Sequence, residues 1–243
     1  MIPKILHACW FGGKPIPNEA QKYINTWKKY NPEYEIKIWT EQSFDVSSNQ
    51  YAYEAYQSRK FAFVTDYVRL KVLYDYGGIY MDTDVEVLKA LDDLLQYPAF
   101  SGFEGPNRIP TGTMGAEKHN RWIKLLLDDY DNRHFILEDG SLDLTTNVKA
   151  ITDITVANYP IALNNTLQVF TDFVMLPFDY LCAKDLVDGL VKKTKNTYTV
   201  HHFAGSWTTP KKKLIKFLLS VFGYRFVQRL VKIKHVFMGN SSK

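Results

Sequence analysis

The stretch YDYGGIYMDTDVEVL, from Tyr74 to Leu88, decides the fold, because it sets two carboxylates in an apolar run behind a glycine pair. The glycines end a helical pattern, and the apolar residues after them predict a buried strand. Side chains alternate along a strand, so Asp82 and Asp84 are expected on the same face as Tyr80. The opposite face is expected to hold Ile79, Met81, Val85 and Val87.

Two neighbouring carboxylates cannot both stay ionised without a compensating charge. A divalent cation with oxygen ligands is the simplest compensation, and Mg²⁺ or Mn²⁺ bound in this way keeps open positions for water and phosphate. The spacing also occurs at Asp129 and Asp131, which follow the amphipathic run RWIKLLL and are expected to be solvated. We therefore predict a metal site at Asp82 and Asp84.

Strand and helix patterns alternate before this stretch. The run PKILHACWFGG predicts a first strand, and a helical pattern with a capping signal at Asn18 follows it. YEIKIWT alternates like a second strand, and a long helical pattern runs from about Ser58 to Tyr76, with Gly77 as its terminator. This order is typical of a parallel α/β sheet, whose ligands bind beyond the carboxyl ends of the strands.

The remaining sequence is less regular. It predicts a strand at AFSGF, a glycine-rich loop near residues 111–115, helices near 120–130 and 148–158, and strands at TDFVMLPF and TYTVHHF. No repeat and no uncharged apolar run long enough to span a bilayer is found.

The composition indicates one enzyme-sized domain. A chain of 243 residues with 46% hydrophobic residues is long enough to bury a sizeable core. The aromatic share of 15% excludes disorder and suits packing against flat polar ligands such as sugars and nucleobases. Cys9 and Cys182 are far apart, and MIPKIL does not resemble a secretory leader, so we expect a reducing cytosol.

Positive charge is concentrated at the C-terminal end. From Lys211 onwards there are nine Lys or Arg residues and no acid, although the whole chain carries 30 basic and 26 acidic residues. Large apolar residues recur there at steps of three and four, so residues 211–238 predict a basic amphipathic helix that lies on a membrane surface. The alternatives are a helix packed on the enzyme and an oligomer interface. Nucleic acid is not expected as a partner, because the rest of the chain is acidic.

The run SRKFAFVTDYVRLKVLYDYGGIYMDTDV resembles the sugar-nucleotide signature of the glycosyltransferases with a D-x-D motif. The resemblance is to glycosyltransferase family 32 and its capsular-polysaccharide members, with kinship to the glucosylating bacterial toxins. PKILHACWFGG is similar to the opening strand of that family, and HHFAGSW is similar to its closing motif. The resemblance implies a GT-A-like mixed sheet flanked by helices over residues 1–208, followed by a tail at 209–243.

Asp66 and Arg69 are three apart on a helix face that also holds Ala62 and Leu73, so they are expected to point inward. An ordinary surface ion pair is the alternative. The resemblance implies that this pair holds hydroxyls of the donor sugar. It also implies that Trp10 stacks on uracil.

The closing motif offers several further site residues. His201 and His202 are adjacent in a predicted strand, so only one of them can face the site. The resemblance, through the spacing of His202 to Gly205, selects His202 as a metal ligand and leaves His201 in reserve. It also implies nucleotide-sugar contacts, including donors to the leaving phosphate, and the residues assigned to this binding are Trp10, Tyr80, Asp82, Ser206 and Trp207. Asn147 is a further candidate near the acceptor.

These residues predict a metal-dependent transferase that moves a hexose from UDP-galactose or UDP-glucose to a glycan or polyprenyl-linked acceptor, and the resemblance implies that the transfer retains the anomeric configuration. The expected setting is capsule or exopolysaccharide synthesis at the inner face of a bacterial plasma membrane. A haloacid dehalogenase-like phosphatase is an alternative, although Glu86 and the lack of a later Gly-Asp pair argue against it. A glycosidase would need no metal, and a non-catalytic membrane-bound sugar-binding module would leave the buried acids unexplained.

Overall fold

The computed structural model describes residues 1–105, 107–109, 112–185 and 189–204. The strands are β1 (Ile5–Cys9), β2 (Glu35–Trp39), β3 (Gly78–Met81), β4 (Val85–Val87), β5 (Ala99–Gly102), β6 (Thr113–Ala116), β7 (Gln168–Val169), β8 (Val174–Leu176) and β9 (Thr199–His201). The helices are α1 (Asn18–Tyr30), α2 (Gln50–Gln57), α3 (Phe61–Tyr76), α4 (Arg121–Asp128), α5 (Asn147–Asn158) and α6 (Phe178–Leu181).

Among the described residues, seven strands form one mixed sheet in the order β2-β1-β3-β6-β5-β8-β7. Strands β1, β2 and β3 are parallel, β6 is antiparallel to both β3 and β5, and β8 is parallel to β5. Five strands, β1, β2, β3, β5 and β8, therefore end at the same edge of the sheet. Strands β4 and β9 pair separately as a small antiparallel sheet.

Helices and loops bury both faces of the large sheet. One core joins β-strand residues such as Tyr80 and Met175 to the apolar faces of α2, α3 and α4. The other joins Ile79 and Met81 to α1 and to Val85 and Val87 of β4. The alternation predicted for residues 79–87 is thus confirmed in the core, and the predicted mixed sheet flanked by helices is confirmed.

The glycine pair between α3 and β3 is required by close packing. Gly77 ends α3 with φ +68°, and its N–H donates to the Leu73 carbonyl at 2.9 Å. Gly78 has φ +106°, and a Cβ there would lie 2.7 Å from the Ile5 carbonyl oxygen. Side chains at these positions would strain the backbone and push β1 away from β3.

Several local expectations need correction. Asn18 is the first residue of α1 rather than a side-chain cap, because Pro17 occupies the cap position. The predicted glycine-rich loop near residues 111–115 contains β6, in which Gly115 leaves room for the Phe100 ring. Helix α2, strand β7 and helix α6 were not predicted. The C-terminal segment 209–243 lies outside the described residues.

Candidate metal and sugar-nucleotide site

The two aspartates lie in a turn and not within a strand as predicted. Strand β3 ends at Met81 and β4 begins at Val85, whose N–H donates to the Asp82 carbonyl at 3.0 Å. Because the chain turns between them, Asp82 and Asp84 are brought together at the carboxyl end of β3. The predicted location at a strand end is correct, but the cause of the convergence is the turn.

His201 completes a group of three metal-ligand side chains. One ligand atom each from Asp82, Asp84 and His201 lies within 4.8 Å of the others. The Nε2 atom of His201 is 3.2 Å from Asp84 Oδ1 and 3.8 Å from Asp82 Oδ2. Two carboxylates and an imidazole form a donor set that suits Mn²⁺ and is acceptable for Mg²⁺. Three such ligands leave further coordination positions for a substrate.

His202 is not part of this group, which corrects the ligand selected from the spacing to Gly205. Its Nε2 lies 2.9 Å from Glu86 Oε2, and its ring stacks on Tyr23 with centroids 4.5 Å apart. In the small sheet Val85 pairs with His201. The reserve residue, His201, therefore faces the aspartates while its neighbour faces α1.

The charges of Asp84 and His201 support each other. Burial alone would raise the pKa of Asp84, but the His201 ring and the Ala204 N–H outweigh it and lower this pKa to about 2. The Ala204 N–H donates to Asp84 Oδ2 at 2.7 Å. Burial opposes the charge of His201, yet the hydrogen bond to Asp84 raises the pKa of His201 well above its usual value. Asp84 is thus ionised at neutral pH, and the His201 ring has to release its proton when Nε2 binds a metal ion.

A second cluster connects α3 to Asp82. The Arg69 guanidinium lies 3.2 Å from Asp66 Oδ1 and 3.3 Å from Asp82 Oδ1. The Tyr80 hydroxyl donates to the same Asp82 oxygen at 2.8 Å, and the guanidinium packs over the Tyr80 ring. Asp66 and Arg69 are both buried, so the expectation that this pair points inward is confirmed.

This cluster fixes the direction of the Asp82 carboxylate. Oδ1 is engaged by Arg69 and Tyr80, which leaves Oδ2 on the side of His201. Burial raises the pKa of Asp66 to about 7, although Arg69 opposes the shift. Near neutral pH the Asp66 carboxyl can therefore donate or accept a hydrogen bond, as a sugar hydroxyl requires.

Gly112 makes room for the imidazole of His201. A Cβ at Gly112 would lie 2.6 Å from His201 Nδ1, and the Gly112 carbonyl accepts the Asp82 N–H at 2.9 Å. His201 Nδ1 is buried and has no hydrogen-bond partner among the residues that the structure describes. The glycine thus allows β9 to approach the turn closely.

Trp10 follows β1 at the same edge of the sheet. Its indole Nε1 donates to the Lys14 carbonyl at 2.6 Å, and the ring is half-buried. A cavity of about 400 Å³ lies next to this loop and is lined by Gly12, Glu41 and Phe61, among others. Glu41 accepts a hydrogen bond from the Gly12 N–H. Trp10 is not one of the lining residues, and its stacking on a base stays a prediction.

The other predicted residues lie apart from the metal group or outside the description. Asn147 begins α5 and accepts the Val148 N–H at 2.7 Å, so its role near an acceptor stays a prediction. Ser206 and Trp207, like Gly205, lie outside the described residues.

Two residues close to the site were not found from the sequence. Glu104 follows β5, and Cys182 follows α6; His201 lowers the pKa of both, against the larger effect of burial. Neither residue belongs to a recognisable motif. The strand AFSGF, which ends just before Glu104, was the only available signal.

The fold and the site together define an α/β protein with a D-x-D metal site at a sheet edge. Residues 17–101 match the family described as "Glycosyltransferase sugar-binding region containing DXD motif". This part of the chain, which includes Asp66, Arg69, Asp82 and Asp84, is therefore similar to a glycosyltransferase sugar-binding region. The match favours a transferase over the phosphatase and glycosidase alternatives.

Curated relatives are similar to about half of the chain. Inositol phosphoceramide mannosyltransferase 3 of Schizosaccharomyces pombe is 36% identical over 129 residues, which are 50% of this chain and 35% of that protein. Mannosyl phosphorylinositol ceramide synthase SUR1 of Saccharomyces cerevisiae is 29% identical over 143 residues, which are 56% of this chain and 37% of that protein. The chain thus spans little more than a third of the length of these relatives.

Two solved structures are similar to this chain at low TM-scores. The PaToxG glycosyltransferase has a TM-score of 0.48 at 20% identity and covers 65% of this chain and 70% of its own. A glycosyltransferase involved in the glycosylation of the major capsid of PBCV-1 has a TM-score of 0.46 at 15% identity and covers 87% of this chain and 97% of its own.

Among the described residues, no helix has the length and apolar character needed to cross a bilayer.

Proposed function

We propose that this protein is a metal-dependent glycosyltransferase that moves a hexose from a nucleoside diphosphate to an acceptor hydroxyl, with retention of configuration. The observation that carries the proposal is the group formed by Asp82, Asp84 and His201, joined through Asp82 to the buried Arg69. Such a group binds a cation and a sugar at adjacent positions.

Each part of the site has a role in this reaction. Mn²⁺ or Mg²⁺ held by Asp82, Asp84 and His201 would neutralise the negative charge that develops on the leaving diphosphate. Arg69 and Asp66 hold hydroxyls of the donor sugar and fix its orientation against the metal ligands. Tyr80 keeps Asp82 in place through its hydroxyl. Ser206 and Trp207 are assigned to the diphosphate by resemblance alone.

The donor and the acceptor are proposed from two kinds of observation, the resemblance of the sequence and the names of the curated relatives. The resemblance of the sequence supports UDP-galactose or UDP-glucose, whereas the names of the curated relatives support a mannosyl donor. Those names also describe a phosphoinositol ceramide, a membrane lipid with hydroxyls on its head group, as a substrate class. We therefore propose a lipid-linked or glycan acceptor, and not specifically a capsule precursor.

The basic segment 211–238 supports a location at a membrane surface. A peripheral enzyme on the inner face of a bacterial plasma membrane would meet a lipid-linked acceptor directly. The division into a catalytic domain at 1–208 and a tail at 209–243 belongs to the same proposal.

The test is a calorimetric screen of UDP, GDP, UDP-glucose, UDP-galactose and GDP-mannose, with and without Mn²⁺, followed by assays of transfer to lipid-linked acceptors. We expect binding of at least one nucleotide to be strengthened by Mn²⁺, and Asp84→Asn to remove that effect. Asp131→Asn, in the solvated second D-x-D pair, is the matched control and should bind like the wild type. A nucleotide affinity that is changed neither by Mn²⁺ nor by Asp84→Asn contradicts the metal assignment.

A further inference from the structure

The sheet topology places one more carboxylate at the edge that carries the site. Strand β5 ends at Gly102 and runs in the same direction as β3, so Glu104 lies at the same edge as Asp82. Only β6 separates β3 from β5, which corresponds to about 10 Å at the usual strand spacing. Gly112, directly before β6, lies close to His201, since a Cβ added there would be 2.6 Å from His201 Nδ1.

Glu104 takes part in the structural hydrogen bonds through its backbone and not through its side chain. Its backbone N–H donates to the Arg108 carbonyl at 2.9 Å, which shapes the loop. Its half-buried carboxyl receives no hydrogen bond from the residues that the structure describes. Partial burial of a carboxyl group without a hydrogen-bond partner costs free energy. The hydroxyl of a ligand would be a suitable partner.

The charged groups around Glu104 come from three elements. Burial raises the pKa of Glu104, and His201 of β9 and Arg108 of its own loop lower it, while Asp82 raises it. Cys182, after α6, is also close enough for Glu104 to raise its pKa. Together with the strand order, these effects place Glu104 close to the metal group, on the side of β5.

The proposed donor leaves this side open for the second substrate. The loop after β1 and its cavity lie on one side of β3, and Glu104 lies on the other. If the nucleotide occupies the β1 side and its diphosphate meets Asp82 and Asp84, the acceptor must approach over β5 and β8. This step rests on the proposed function.

We infer that Glu104 is a catalytic residue that binds the attacking hydroxyl of the acceptor and takes its proton. The acceptor oxygen forms a bond to the anomeric carbon on the face of the sugar from which the phosphate oxygen departs, as the bond from that carbon to the phosphate oxygen breaks, so that the configuration is retained. The leaving nucleoside diphosphate keeps the electron pair of the broken bond. The proton passes to a carboxylate oxygen of Glu104 and then to water.

The experiment uses the full chain with Mn²⁺ and water as the acceptor, so that release of nucleoside diphosphate from UDP-glucose, UDP-galactose or GDP-mannose reports turnover. We expect Glu104→Gln to lower kcat by about 100-fold, a typical contribution of a general base. The Kd values for Mn²⁺ and for the nucleotide should stay within about twofold of wild type. Glu104→Asp should keep part of the rate, and formate should restore turnover to Glu104→Ala.

Glu138→Gln, at an exposed loop carboxylate, is the matched control and should turn over like the wild type. Wild-type kcat in Glu104→Gln, or a loss of Mn²⁺ affinity as large as the loss of kcat without rescue by formate, overturns the assignment. If the wild type neither binds nor hydrolyses any of these donors, the proposed function fails together with the assignment. If the wild type does turn over a donor, a negative result with Glu104→Gln overturns only the assignment of Glu104 and not the proposed function.

Discussion

His201 is the residue that connects the small sheet to the metal group. Its Nε2 faces both aspartates, and its neighbour His202 is held by Glu86 and Tyr23 on the other side of the strand. Two adjacent histidines with opposite surroundings provide a direct comparison of ligand and structural roles.

We expect His201→Ala to weaken Mn²⁺ binding by about 10 to 100-fold, because one of three ligands is removed. His202→Ala should leave the Mn²⁺ affinity within about twofold, since its ring contacts Glu86 and Tyr23 only on the far side. Isothermal titration with Mn²⁺ on both variants measures the difference. Equal losses in the two variants would show that the metal is not bound where the geometry places it.

Gly112 is a second residue that decides the geometry of the metal group, because it has no side chain. We expect Gly112→Ala to displace the His201 ring, because the added Cβ would lie 2.6 Å from Nδ1, and to lower Mn²⁺ affinity about tenfold. Gly105→Ala is the control, since a Cβ at Gly105 meets no atom within 4 Å. The same titration applies, and an unchanged affinity in Gly112→Ala would contradict the close approach of β9 to the turn.

At the scale of elements, His7 joins β1 to its two neighbours. Its Nε2 lies 2.7 Å from the Gly77 carbonyl oxygen, so it carries the proton there, and its Nδ1 accepts the Trp39 indole N–H at 3.1 Å. Burial lowers the pKa of His7 to about 4, despite the Gly77 bond. Both ring nitrogens are used in the neutral form, which explains a structural rather than a catalytic role.

This pKa predicts how stability depends on pH. Between pH 6.5 and about 4 the unfolded chain binds a proton at His7 that the folded protein does not, so stability falls as the pH falls through this window. The loss reaches at most about 3 kcal/mol at the lower end. His7→Gln should be less stable at pH 7.5 but should lose less between pH 7 and pH 5, as measured by urea unfolding. A pH dependence identical to that of the wild type would assign the effect to other groups.

The elements differ in how far the sequence predicts them. β1, β2, β3 and α3 follow from strong periodicity and from Gly77, which can adopt the positive φ that ends a helix. β6 was missed because its Gly115 is there to admit the Phe100 ring, a tertiary contact that no local pattern records. The choice between His201 and His202 had the same limit, because it depends on the register of β4 with β9.

The residues of the site also differ in how far the sequence predicts them. Asp82, Asp84, Asp66 and Arg69 share one continuous stretch, so spacing and resemblance were sufficient to find them. Glu104 and Gly112 reach the site from other strands of the sheet. Only the strand order brings them together, and strand order is not encoded in any short motif.

At the scale of the whole molecule, the uneven charge distribution leads to a prediction for the full chain. We expect it to bind vesicles that contain anionic lipid, and to bind more weakly as salt is raised. Replacing Lys211, Lys212 and Lys213 with Glu should reduce the partition coefficient by at least about 100-fold, at about 1 kcal/mol for each lost charge. Co-sedimentation measures this effect.

The matched control replaces Lys14, Lys22 and Lys28, which lie in the N-terminal part of the chain, with Glu. The two variants have the same net charge, so a specific role of the C-terminal segment requires that only the first loses binding. Equal weakening in both variants would instead indicate attraction by overall charge, and no binding by the wild type would exclude the membrane-surface proposal.

The position of His201 in the chain also sets the moment at which the site is assembled. Asp84 precedes it by 117 residues, and between them lie β5, β6, α4, α5 and β8. On a ribosome, both aspartates emerge long before the imidazole that joins them, so the early part of the nascent chain offers only a weak, incomplete chelate. The complete group of Asp82, Asp84 and His201 is thereby withheld from unfinished polypeptides, and its assembly becomes a sign that β9 has docked against the turn.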